Sequence, residues 1–130
     1  MTSDHVVFRS PGFAVEPDED RQTNPGIYGK ALAAWVADKL RARGVAVEDQ
    51  IVAEDFGRVV VVQRTPFMLW VGCASVDGST TEWQLQIAAE FTVFARLFRR
   101  VDPTPAIAAL REHLRAIVQE APDVSDIAWQ

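Results

Sequence analysis

Apolar and polar positions alternate along this chain with two different periods, and the change between them marks its elements. Tyr28, Leu32, Trp35, Val36 and Leu40 recur at helical spacing. They follow Asn24-Pro25, a capping residue with a first-turn proline, and Gly44 closes the block behind Arg41 and Arg43. A first helix is predicted over about residues 25 to 43. From Val45 the period shortens. Val45, Val47 and Ile51 to Ala53 read as a strand bulged at Glu48-Asp49-Gln50, followed by a turn at Glu54-Asp55-Phe56-Gly57. Val59 to Val62 gives the next strand, Thr65-Pro66 a turn, and Phe67 to Val76 a further strand that is apolar on both faces. Asp77-Gly78 then opens a loop to Thr81–Glu90, where Trp83, Leu85 and Ile87 alternate with Gln84 and Gln86. These runs predict a four-stranded antiparallel meander.

Beyond Glu90, Phe91, Phe94, Leu97, Phe98 and Val101 are spaced by three and four, which suggests a short helix and competes with a continued strand. Thr104-Pro105 repeats the cap-plus-proline device. Ile107, Leu110, Leu114, Ile117 and Val118 then form the stripe of a second full helix, which Pro122 halts. Val6 to Phe8 and Val124 to Trp129 read as short strands, and Ser10 to Gln22, with two prolines and several acids, as an irregular lead-in. Strand, helix, four strands, helix and strand describe a single α+β domain over residues 1–130, with residues 1–23 partly irregular. The expected architecture is a two-layer sandwich: a mostly antiparallel sheet of about five or six strands with both helices on one face.

The second face of that sheet is the open question. An even-length connection at Asp77-Gly78 puts Met68 and Trp70 beside Trp83, Leu85 and Ile87; an odd-length one puts Leu69, Val71 and Cys73 there instead. In either register apolar side chains are left beside Gln84 and Gln86, with Glu82 and Glu90 at the ends. Residues 91 to 101, the N-terminal segment or a partner must cover that surface, because contiguous apolar patches are uncommon on monomers.

Composition narrows the function classes. The chain has 130 residues, 48% of them apolar, enough for one ordinary core. One cysteine, Cys73, excludes an intrachain disulfide and a multi-cysteine zinc site and suits a reducing cytoplasm. The N-terminus does not read as a signal peptide and no apolar run approaches a bilayer span, so a soluble cytoplasmic protein is expected. With 18 acidic against 13 basic residues and a net charge of −5, nucleic acid is not an expected partner. Arg96, Arg99 and Arg100 are the one dense basic patch, more simply a solvated helix face.

No residue set spells a reaction. Two histidines, His5 and His113, are too few for a multi-histidine metal site, so neither metal nor cofactor is expected. Cys73 inside an apolar strand reads as core. Gly26 and Gly29 superficially suggest an anion-binding helix start, but Pro25 removes an amide and the preceding segment is acidic. Glu54 and Asp55 are the best carboxylate pair, with Glu90 as a cross-sheet third, and adjacent acids before a glycine more often make turns. No GxSxG elbow, phosphate-binding glycine loop or GxGxxG is present.

Pro25-Gly26-Ile27-Tyr28-Gly29, with Leu32 and Trp35 behind it and Glu54-Asp55-Phe56-Gly57 ahead of a strand, resembles small bacterial proteins that share a "PG.YG" helix start and an "ED-aromatic-G" turn. The likeness spans about residues 24 to 76, with Phe56 where tryptophan is expected. It implies a stand-alone α+β domain and attaches no activity. The leading expectation is a non-enzymatic interaction domain of the accessory or immunity type, meeting a protein partner or a second copy through the leftover sheet face, where Gln84 and Gln86 stand beside apolar side chains of the strand Phe67 to Val76. The alternative is a small-ligand binder with a pocket between the first helix and the sheet, lined by Tyr28, Trp35 and Trp70. A hydrolase-like enzyme using Glu54 and Asp55 comes third.

Overall fold

The structure is a computed structural model that describes residues 4–91 and 101–130. Six strands form one sheet: β1 His5–Arg9, β2 Val52–Glu54, β3 Gly57–Gln63, β4 Met68–Ser75, β5 Glu82–Glu90 and β6 Ser125–Trp129. Their spatial order is β2-β3-β4-β5-β1-β6, with every pairing antiparallel. Helices α1, Lys30–Ala42, and α2, Thr104–Glu120, pack on the same face, α1 against β3 and β4 and α2 against β5. This is the expected α+β two-layer sandwich. The helical spacing across 91–101 and the arginines at 96, 99 and 100 fall largely or wholly outside the described residues.

Strand β4 meets β5 with Ser75 opposite Trp83, Cys73 opposite Leu85 and Val71 opposite Ile87. This settles the open register in favour of Leu69, Val71 and Cys73 on the core face. With Val6, Phe8, Leu32, Val36, Leu40, Leu114 and Val118 they fill a core whose larger members are almost wholly sheltered. The lead-in also belongs to this side. Phe13 lies edge-on to Trp35 at 5.2 Å and to Trp83 at 5.7 Å, and Trp83 Nε1 donates to the Ser10 carbonyl at 3.1 Å. Ser10 and Phe13 of the lead-in therefore pack on the helix side of the sheet and not on its second face.

Helix α1 starts at Lys30, five residues later than Asn24-Pro25 suggested. Residues 24–29 run beside the end of β4 instead. Asn24 N–H donates to the Asp55 carbonyl, Ser75 N–H to the Tyr28 carbonyl, Tyr28 N–H to Ser75 Oγ, and Ser75 Oγ–H to the Gly26 carbonyl. With those bonds made outside a helix, the cap comes from a distant residue. The buried Glu19 carboxylate accepts from Gly29 N–H at 3.0 Å, Lys30 N–H at 3.1 Å and Glu16 N–H at 2.8 Å. The expected strand at Val45 and Val47 is likewise coil. Both side chains pack on the core, but one backbone bond, Glu48 N–H to the Val61 carbonyl, is the link to β3 there, and the ladder begins at Val52. At the second helix Asp102, not Thr104, supplies the capping oxygen, to Thr104 N–H at 3.0 Å.

Burial alone would raise the pKa of Glu19, yet three backbone donors and the nearby Arg58 guanidinium more than offset it and hold the carboxyl below its ordinary 4.5. A depressed carboxyl stabilises the fold fully above the unfolded pKa and loses that contribution as pH falls through the folded one. Glu19→Gln is therefore expected to unfold about 2 kcal/mol more easily at neutral pH. The gap to the parent protein should narrow as pH drops below 4.5, measured by urea unfolding across pH.

Candidate functional site

The face opposite the helices carries the residues that the core register leaves behind. Val61 pairs with Trp70 and Trp70 with Ala88; Val59 pairs with Gly72 and Gly72 with Gln86; Ala74 pairs with Gln84. Gly72, Ala74 and Ala88 make a floor of small residues. Trp70 and Phe56 rise from it, ring centroids 5.6 Å apart and tilted by 35°. Together with Gln84 and Gln86 they line a groove of about 450 Å³.

Two loops of the sequence build this wall. Glu54 pairs with Gly57, so Asp55 and Phe56 form a two-residue turn that lifts the Phe56 ring over the sheet, where it is 50% exposed. Gly57 is required for closeness: a Cβ there would sit 2.6 Å from the Cys73 carbonyl oxygen and 3.0 Å from Ala74 Cβ. Gly29 approaches the same carbonyl oxygen, again to 2.6 Å for a built Cβ. Gly29 and Gly57 thus close on the same Cys73 carbonyl oxygen, and the Pro25–Gly29 and Glu54–Gly57 segments are parts of one joint at the end of β4. Gly72 has a different reason to lack a side chain, since its Cβ would press to 3.0 Å from the Trp70 ring. The indole lies over the bare backbone.

The polar members divide. Gln84 is committed, with Oε1 hydrogen-bonded to His5 Nε2 at 2.8 Å and Nε2 donating to the Ser75 carbonyl at 3.2 Å. The Gln86 amide is exposed and has no side-chain partner among the described residues. Glu54, Glu82 and Glu90 stand on this face by register, and Asp55 is exposed in the turn. Arg9 also belongs to this face, opposite Glu82, and lies 3.8 Å from Asp126.

The other residues singled out in the sequence lie elsewhere. Trp35 and Tyr28 are half-buried on the helix side, Trp35 against Phe13 and Tyr28 hydrogen-bonded through its backbone to Ser75. Trp70 projects from the opposite face of the sheet, so the three aromatics do not line one pocket. Glu54 belongs to the row of Gly57 and Ala74, while Glu90 sits opposite Met68, six residues along β5 from Gln84. At strand rise this separates the two acids by roughly 20 Å, too far for a carboxylate dyad. Cys73 is fully buried and its burial pushes the thiol pKa up, away from thiolate. His113 accepts from Arg43 Nε at 3.1 Å and has no approach to Cys73, which lies within the sheet.

Arg58 is a buried polar residue that the sequence patterns do not single out. It is 4% exposed, donates to the Glu19 carbonyl at 2.8 Å and to Gln22 Oε1 at 3.3 Å, and leaves Nε buried without a partner. Its signal was an arginine on the core side of a valine run. Among the described residues there is no group of three or more His, Cys, Asp or Glu placed to hold a metal ion, and no helix long and apolar enough to cross a membrane. Compared with known protein families, curated proteins and solved structures, the chain matches none.

Proposed function

We propose that this chain is an accessory protein-interaction domain that works through the open face of its sheet, with Phe56 and Trp70 as the anchor. The observation that carries the reading is the aromatic pair, held 5.6 Å apart above a floor of glycine and alanine on the face opposite α1 and α2. Large aromatics set over small residues and ringed by polar groups are the usual composition of interaction hot spots. The turn that presents Phe56 is rigidly seated, because Gly57 and the Asn24–Asp55 hydrogen bond anchor it to β4 and the lead-in. A rigid anchor limits the ordering cost of association. The buried, unpaired Cys73 fits a reducing cytoplasm.

A second reading, a small-ligand site, draws support from the groove's volume of about 450 Å³. That falls in the range of ligand pockets, and the site would then be this groove and not a space beneath α1. The two readings separate in one experiment. A photo-crosslinking amino acid replaces Phe56, with a matched control at Asp38 on the exposed side of α1. In cells that make the protein, position 56 is expected to give a discrete protein adduct and position 38 none. Equal labelling from both positions, or no protein adduct from 56, contradicts the interaction reading.

A further inference from the structure

We propose that the occupant of this face is a cationic segment of a partner protein, an arginine or lysine side chain laid on the Trp70–Phe56 pair; the proposal rests on the interaction reading above. Charge complementarity favours this occupant. Glu54, Glu82 and Glu90 share the face by register and Asp55 adjoins Phe56 in its turn, so the groove is rimmed by carboxylates. Among the described residues Arg9 is the guanidinium on that face, and Asp126 already lies beside it. Two π faces at 5.6 Å, tilted and partly exposed, attract a cation through the ring quadrupole, more strongly for tryptophan than for phenylalanine. A guanidinium stacked there keeps its edge free for a carboxylate, and the exposed Gln86 amide oxygen can accept from it as well. A second copy placed face to face would bring two such acidic rims together, which opposes a homodimer through this surface. An acidic peptide or nucleic acid meets the same repulsion.

The test uses three acetylated eight-residue peptides on the full chain: alternating leucine and arginine, the same with citrulline for arginine, and the same with glutamate. Binding is read from chemical shifts of the Trp70 indole N–H and the Gln86 side-chain amide. The arginine peptide is expected to move both signals and to bind at least tenfold more tightly than the citrulline peptide, with the glutamate peptide inert. Raising salt should weaken the arginine peptide alone. The double variant E54Q/D55N, whose changes lie on exposed side chains, should close most of the gap between arginine and citrulline. If citrulline or glutamate binds as tightly as arginine at these signals, the charge preference is overturned and the face stands as an interface of another chemistry. If none of the three moves these signals, the cationic occupant is overturned as well, and the crosslink from position 56 then decides the interaction reading separately.

Discussion

Gly57→Ala, a change of a single methyl group, is expected to lower stability by about 3 kcal/mol or more. The added Cβ would lie 2.6 Å from the Cys73 carbonyl oxygen and 3.0 Å from Ala74 Cβ, at a φ of +147° that side-chain-bearing residues rarely adopt. Neither obstacle is the free end of a side chain: one is backbone in the middle of the sheet and the other is fixed to it. Gly29 blocks the opposite retreat, because its own built Cβ comes to 2.6 Å of the same oxygen. Gly44 serves as the control. Its φ is +83°, but nothing lies within 4 Å of a built Cβ. Gly44→Ala should therefore cost only the backbone strain, about 1 kcal/mol. Urea unfolding of the two variants measures the difference, and similar losses at 44 and 57 would mean that the joint at Cys73 is looser than described.

Removing the Trp83 side chain is expected to cost about 3–5 kcal/mol, the range for truncating a large buried aromatic. The indole is 1% exposed, its N–H is satisfied by the Ser10 carbonyl, and Phe13 meets it edge-on. Trp83→Ala therefore opens a cavity and also releases the lead-in from the helix side of the sheet. Because residues 16–22 carry Glu19 and Gln22, loosening that segment also weakens the cap on α1 and the seat of Arg58. Trp83→Phe should recover much of the packing while leaving the Ser10 carbonyl without its donor. A thermal melt is the simplest check, with the alanine variant expected to fall by roughly 10 °C or more.

How far such features were readable depends on where their causes lie. The strands of the meander follow from alternation, since Trp83, Leu85 and Ile87 face a core and Gln84 and Gln86 do not. The helices follow from their stripes. The start of α1 was not readable, because Asn24-Pro25 carries the local signs of a helix start while the cap comes from Glu19, ten residues before Gly29. The register across Asp77-Gly78 was undecidable because β4 is apolar on both faces, so neither choice exposed anything a sequence rule forbids. For the site, alternation places Gln84 and Gln86 on the leftover face in either register, but Trp70 joins them in one register alone, and Phe56 reads only as part of a turn. A hairpin's effect on the face above it needs the pairing of Glu54 with Gly57, which is tertiary information. Tyr28 and Trp35 were grouped with Trp70 because aromatic type does not reveal which side of a sheet a residue takes.

The helix side of the sheet holds the core, and the proposed function assigns the other side to a partner. The double variant F56A/W70A addresses this directly, through its unfolding free energy in urea. With none of the described residues packed over the second face, both side chains are expected to be largely surplus to folding, and the variant should stay within about 2 kcal/mol of the parent with an unchanged denaturant slope. A loss as large as that of Trp83→Ala, about 3–5 kcal/mol, would mean that Phe56 and Trp70 belong to a second core, and would contradict a free working surface there.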